Sequence, residues 1–130
     1  MDRRTSLSAA IALALAALAP VSSAEARTAG GIKLTVLYGR PKSENEFEKY
    51  YFSTHMPIVV AASQGIRLET ARGLPGQDGS APAYYRIFEA WFESAAQMAA
   101  ITGTPAWARA AEDVPNYASG GFSVFVSAVD

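Results

Sequence analysis

The feature that most constrains this chain is an order of local patterns, extended-helical-extended and then the same again, running from Ile32 to Val129. Ile32–Tyr38 is dense in β-branched and aromatic residues and reads as a strand, closed by Gly39-Arg40-Pro41. Ser43-Glu44-Asn45-Glu46 follows as a capping box, opening a helix on which Phe47, Tyr50, Tyr51 and His55 share one face. Pro57 disfavours helical geometry at Met56, so the helix is predicted to end or kink just after His55 and to resume over 58–62. A second extended stretch covers 66–72, a turn-rich loop 73–82 and a third strand 84–92. Ser94-Ala95-Ala96-Gln97 opens a second helix. Gly103-Thr104 interrupts it, Pro105 restarts it with Trp107, Ala110, Ala111 and Val114 on one face, and Pro115 stops it. Residues 121–129 alternate as a fourth strand. The order β-α-β-β-α-β puts the chain in the α+β class with a ferredoxin-like arrangement.

In that arrangement both helices cover one face of the sheet, and an uncovered second face should be polar. Here neither face reads as polar. The third strand carries Tyr84, Arg86, Phe88, Ala90 and Phe92 on one side and Tyr85, Ile87, Glu89, Trp91 and Glu93 on the other. The expectation is a homodimer that buries the second face sheet to sheet. Arg86 and Glu89 fall on opposite sides of the strand and read as separate rim charges.

Residues 1–26 read as a cleavable signal peptide. Arg3-Arg4 precede an Ala/Ile/Leu run too short to span a bilayer, and Ala24-Glu25-Ala26 places cleavage after Ala26. Arg3-Arg4-Thr5-Ser6-Leu7 also resembles a twin-arginine signal. The expected location is periplasmic or secreted, and residues 27–130 make one domain with no membrane span. With no cysteine, that domain cannot use disulfides and must be held by its core, by assembly, or by both. The net charge of −1 leaves no basic stripe for nucleic acid. A single histidine and no cysteine exclude a structural zinc site, and a haem could be held only by His55, a tyrosine or a methionine.

One helical turn brings Tyr51 and His55 onto the same inward face. An imidazole in an apolar pocket beside phenols can shuttle a proton to or from a bound carbonyl or hydroxyl, which makes His55 the candidate general acid/base and Tyr51 its candidate hydrogen-bonding companion. A core histidine bonded to a carbonyl would show the same spacing. Tyr38, Tyr50, Arg86, Asn116 and Tyr117 are the candidate substrate-binding residues, with Asn116-Tyr117 at the pocket mouth or simply a turn with a packed ring. The mature domain holds no nucleophile elbow, phosphate-binding glycine loop or metal-ligand spacing.

Residues 33–41, then Phe47-Glu48-Lys49-Tyr50-Tyr51-Phe52-Ser53-Thr54-His55-Met56-Pro57, 83–92 and Asp113-Val114-Pro115-Asn116-Tyr117-Ala118 resemble the EthD family, named for ethyl tert-butyl ether degradation. The resemblance spans nearly all of the mature domain and is most specific over Tyr-Tyr to His-Met-Pro. It implies a dimeric α+β barrel, a fold that also hosts isomerases, monooxygenases and haem peroxidases, and it places His55 at the family's His-Met-Pro position. The functional expectation is an exported, cofactor-independent enzyme or pathway accessory acting on a small hydrophobic, oxygenated compound by oxidoreductase- or isomerase-type chemistry. The alternative is a periplasmic protein that binds such a compound without transforming it.

Overall fold

A computed structural model describes residues 30–130. The leader expected at 1–26 lies outside the described residues. Four antiparallel strands, β1 (Ile32–Tyr38), β2 (Arg67–Arg72), β3 (Arg86–Phe92) and β4 (Phe122–Ala128), form one sheet in the order β2-β3-β1-β4. The helices are α1 (Glu44–Tyr50), α2 (Met56–Ala62), α3 (Ala95–Thr102) and α4 (Pro105–Asp113). This is the ferredoxin-like α+β arrangement expected from the order of patterns.

The helix starts follow their caps. Ser43 Oγ accepts from the Glu46 amide, Ser94 Oγ from Gln97 and Thr104 Oγ1 from Trp107, each satisfying a free amide of a first turn. The disturbance expected around Pro57 takes the form of a wider turn just before it, after which the α-helix resumes at Met56. Tyr51–His55 widens into a π-turn between α1 and α2, in which the Met56 amide bonds the Tyr51 carbonyl. The extra residue in the turn absorbs the lost amide of Pro57 and lets the helix continue. α4 ends at Asp113, ahead of Pro115 as expected, and Val114–Asn116 adds one tight 3₁₀ turn after it.

Ile32, Leu34 and Tyr38 of β1 and Arg86, Phe88, Ala90 and Phe92 of β3 face the helices and are buried. Phe122, Val124 and Val126 of β4 point the same way but stay half-buried. The helix layer is therefore open along β4. The second face is mixed rather than uniformly apolar: Leu37, Ile87, Trp91 and Phe125 lie among a Lys33–Glu89 ion pair of 3.0 Å and an Arg67 guanidinium 4.1 Å from the Trp91 ring centre. Charges flanking an indole lower the cost of exposing it. Among the described residues, no helix is long and apolar enough to cross a membrane.

Candidate functional site

The wide turn sets the inward face of the helix. Phe47, Tyr51 and His55 stack as a column, with ring centres 5.3 Å and then 5.7 Å apart. Tyr117 from the far end of the chain closes on it, its ring 4.6 Å from that of His55. His55 is buried, and its Nδ1 lies 3.0 Å from Asp113 Oδ2. Asp113 stands at the end of α4, which packs beside α2, and its other oxygen accepts from Tyr50 Oη at 2.6 Å and Asn116 Nδ2 at 3.0 Å.

These contacts decide protonation. Burial pushes His55 below its ordinary value of 6.5, and the Asp113 carboxylate only partly offsets it, so the imidazole is neutral at neutral pH. Burial alone would push Asp113 up, but hydrogen bonds from Tyr50, Asn116 and His55 together hold its carboxyl below 3.8. An ionised carboxylate can only accept, so His55 must donate from Nδ1. Nε2 is thereby left as a basic lone pair without a partner among the described residues. Asp113 was not singled out from the sequence. The signal available was an acidic residue in the last turn of a helix, where the macrodipole disfavours it unless a donor is nearby.

His55 lines a narrow cavity of about 40 Å³ with Tyr38, Leu34, Trp107, Phe122 and Val124. A cavity needs roughly 10–15 Å³ to hold one water, so the slot admits a few atoms, and a ring-sized molecule enters only if the half-exposed β4 side yields. A roomier concavity, about 500 Å³, lies at the opposite end of β1 around Gly31, Gln64, Trp91 and Glu93. It contains no histidine, whereas His55 lines the smaller slot. Among the described residues no group of three potential metal ligands converges.

The expected site residues divide. His55, Tyr38, Tyr50, Tyr51, Tyr117 and Asn116 converge around Asp113 and the aromatic column. Asn116 is exposed and Tyr117 buried, both line a separate concavity of about 430 Å³ with Tyr50, and the Tyr117 hydroxyl lies 2.6 Å from that of Tyr38. Tyr51 stacks on His55, and its buried hydroxyl has no hydrogen-bond partner among the described residues. Arg86 is no rim charge. It is 4% exposed, its Nε and Nη2 bond the two oxygens of Glu48 at 3.2 and 2.5 Å, and its guanidinium lies 5.1 Å from the Tyr51 ring centre. Glu48 also accepts from Tyr85 Oη, whose phenol is pushed up to about 12 by burial and then by that carboxylate.

Two expectations follow from the site's buried groups. An unpaired buried hydroxyl costs about 1 kcal/mol or more, so Tyr51→Phe should stabilise the protein by about that amount and raise Tm by about 5 °C. An unchanged or lower Tm would show that the hydroxyl is satisfied. Because His55 titrates lower in the folded than in the unfolded chain, unfolding takes up a proton between the two values, and stability falls as pH drops below 6.5 toward the folded value. Asp113 adds a further loss as pH falls below 3.8 through its own depressed value. Urea midpoints measured from about pH 7 down to about pH 5 should decline in the wild type and much less in His55→Phe.

Comparison with known proteins agrees with this architecture. A solved EthD family protein of Bacillus halodurans superposes with a TM-score of 0.69 at 20% identity, covering 76% of this chain and 98% of that one. An EthD-like protein of Ralstonia eutropha gives 0.58 at 27% identity, covering 74% and 88%. A hydroxynitrile lyase from Passiflora edulis shares the fold at 14% identity, with a TM-score of 0.57 over 78% of this chain and 95% of the lyase. In sequence, an uncharacterized 11.0 kDa protein of the thcB-thcC intergenic region of Rhodococcus erythropolis is 30% identical over 92 residues, 71% of this chain and 88% of that protein. The EthD domain model matches residues 40–121, well over half of the chain, and spans the π-turn, His55 and Asp113 alike. The chain belongs to the EthD family.

Proposed function

We propose that this protein is a cofactor-independent enzyme that moves a proton on a small, mostly apolar molecule, with His55 as the base and Asp113 holding it. The observation that carries the reading is buried His55, at the wall of an apolar slot, bonded to half-buried Asp113 behind it. A neutral imidazole with its Nδ1–H tied to a carboxylate offers Nε2 to a substrate, and the same carboxylate stabilises the imidazolium that forms when the proton is taken. Proton transfer of this kind belongs to isomerase- or lyase-type chemistry, and the presence of a hydroxynitrile lyase on the same fold accords with it. Tyr51 and Tyr50 act through the column and through Asp113. Arg86, engaged with Glu48, acts by fixing Tyr51.

The exported, homodimeric form belongs to the same proposal. Export is supported by Arg3-Arg4, the apolar run and Ala24-Glu25-Ala26. Sheet-to-sheet pairing is supported by Trp91, Ile87, Leu37 and the 47%-exposed Phe125 on the uncovered face. The test is a thermal-shift comparison of wild type and His55→Ala against lactones, phenols, quinones and small ketones. Ligand at a hundredfold over its Kd adds about 2.7 kcal/mol and should move Tm by about 10 °C. A shift lost in His55→Ala supports the site, and product from that compound supports an enzyme over a sequestering binder. Equal shifts in both proteins would place binding elsewhere and refute the assignment.

A further inference from the structure

Resting on His55 as the base, we infer that the hydrogen-bonded Tyr38–Tyr117 pair is an oxyanion site, and that the substrate class is a small enolisable carbonyl compound. Each phenol has one hydrogen, and the 2.6 Å bond between the two hydroxyls spends only one of them. Either oxygen can be the donor, and neither hydroxyl has another hydrogen-bond partner among the described residues. When Tyr117 donates to Tyr38, the Tyr38 hydrogen is left over. Tyr38 is 1% exposed and lines the same slot as His55. A buried donor without an acceptor is costly unless a ligand takes it.

The rest of the slot is apolar. Leu34, Val59, Phe88, Trp107 and Val124 offer no cation for a carboxylate or phosphate. The two titratable side chains of the wall are a base and a phenol, which match the two ends of one reaction. Nε2 takes a proton from carbon next to a carbonyl, so the C–H bond breaks and an N–H bond forms. The freed pair becomes the carbon–carbon double bond, and the carbonyl π pair moves onto oxygen. That oxygen, now negative, accepts from Tyr38, and the imidazolium returns its proton to the same carbon or to a conjugated one. No oxidant or reductant is needed. A donor aimed at charge that develops only in the transition state lowers the barrier rather than merely binding the ground state. Burial raises both phenols above their ordinary 10.0, so each keeps its hydrogen to donate. By accepting from Tyr117, the Tyr38 hydroxyl becomes the better donor.

The experiment is deuterium exchange of acetone, butanone and cyclopentanone in D₂O, followed by NMR with the full-length protein. The wild type should exceed the buffer rate, and His55→Ala should fall to it. Tyr38→Phe should lose about a hundredfold, and Tyr117→Phe less, because it removes polarisation and not the donor. Tyr38→Phe/Tyr117→Phe removes both partners, leaves no orphaned hydroxyl, and should match Tyr38→Phe in rate while keeping the wild-type Tm. Exchange unchanged in Tyr38→Phe but lost in His55→Ala would overturn the oxyanion site and leave the base standing. Exchange retained in His55→Ala would overturn the base itself. A wild type no faster than buffer on all three ketones would overturn the substrate class.

Discussion

Asp113→Asn should lower the rate of proton transfer about a thousandfold or more while the protein stays folded, even though Asp113 touches no substrate. In the wild type Tyr50 and Asn116 both donate to Oδ1, and His55 lies against Oδ2. An asparagine in this place has one accepting oxygen, which those two donors claim. Its amide nitrogen then faces Nδ1 as a donor, which forces the imidazole hydrogen onto Nε2 and removes the lone pair that would take the proton. The variant also lacks the negative charge that stabilises the imidazolium. A merely structural role for Asp113 would change Tm and leave the pH profile alone. Positioning of the base shifts the profile, so the check is kcat/KM against pH beside a melting curve. Wild-type kinetics in Asp113→Asn would refute the role.

Arg86→Leu should be the most destabilising single change at the site, by about 3 kcal/mol, lowering Tm by about 15 °C. Losing the guanidinium strands the Glu48 carboxylate beside the Tyr85 hydroxyl and removes the cation over the Tyr51 and Phe52 rings. The cost is kept to the low end of the range for buried pairs because the Glu48 side chain is 26% exposed and can still reach water. Arg86→Leu/Glu48→Leu removes both charges and should recover most of the loss. Equal Tm in wild type and Arg86→Leu, measured by differential scanning calorimetry, would show that the pair contributes nothing.

These two residues also mark where the sequence stopped being informative. Alternation along β3 correctly placed Arg86 on the side of Phe88, Ala90 and Phe92, which is the buried side, yet a lone arginine there reads as a rim charge until Glu48, 38 positions away, is brought against it. Asp113 stands 58 positions from His55 and meets it only because α4 packs beside α2. Neither pairing leaves a trace in local periodicity. What local rules could carry was carried: the caps at Ser43, Ser94 and Thr104 start the helices where expected, and all four strands lie within two residues of their expected ends. Pro57 shows the intermediate case. Its missing amide announced a disturbance after His55, but whether the helix would break or widen depended on packing of the column Phe47-Tyr51-His55 against Tyr38 and Tyr117.

His55 is the single histidine of the chain, so its ring nitrogens can be observed without ambiguity. The most direct test of the account is therefore the ¹⁵N spectrum of histidine-labelled protein at neutral pH. The expected result is a neutral ring with the hydrogen on Nδ1 and a bare Nε2, changing to imidazolium only below 6.5. A hydrogen on Nε2, or a ring already charged at neutral pH, would contradict a base held ready by Asp113.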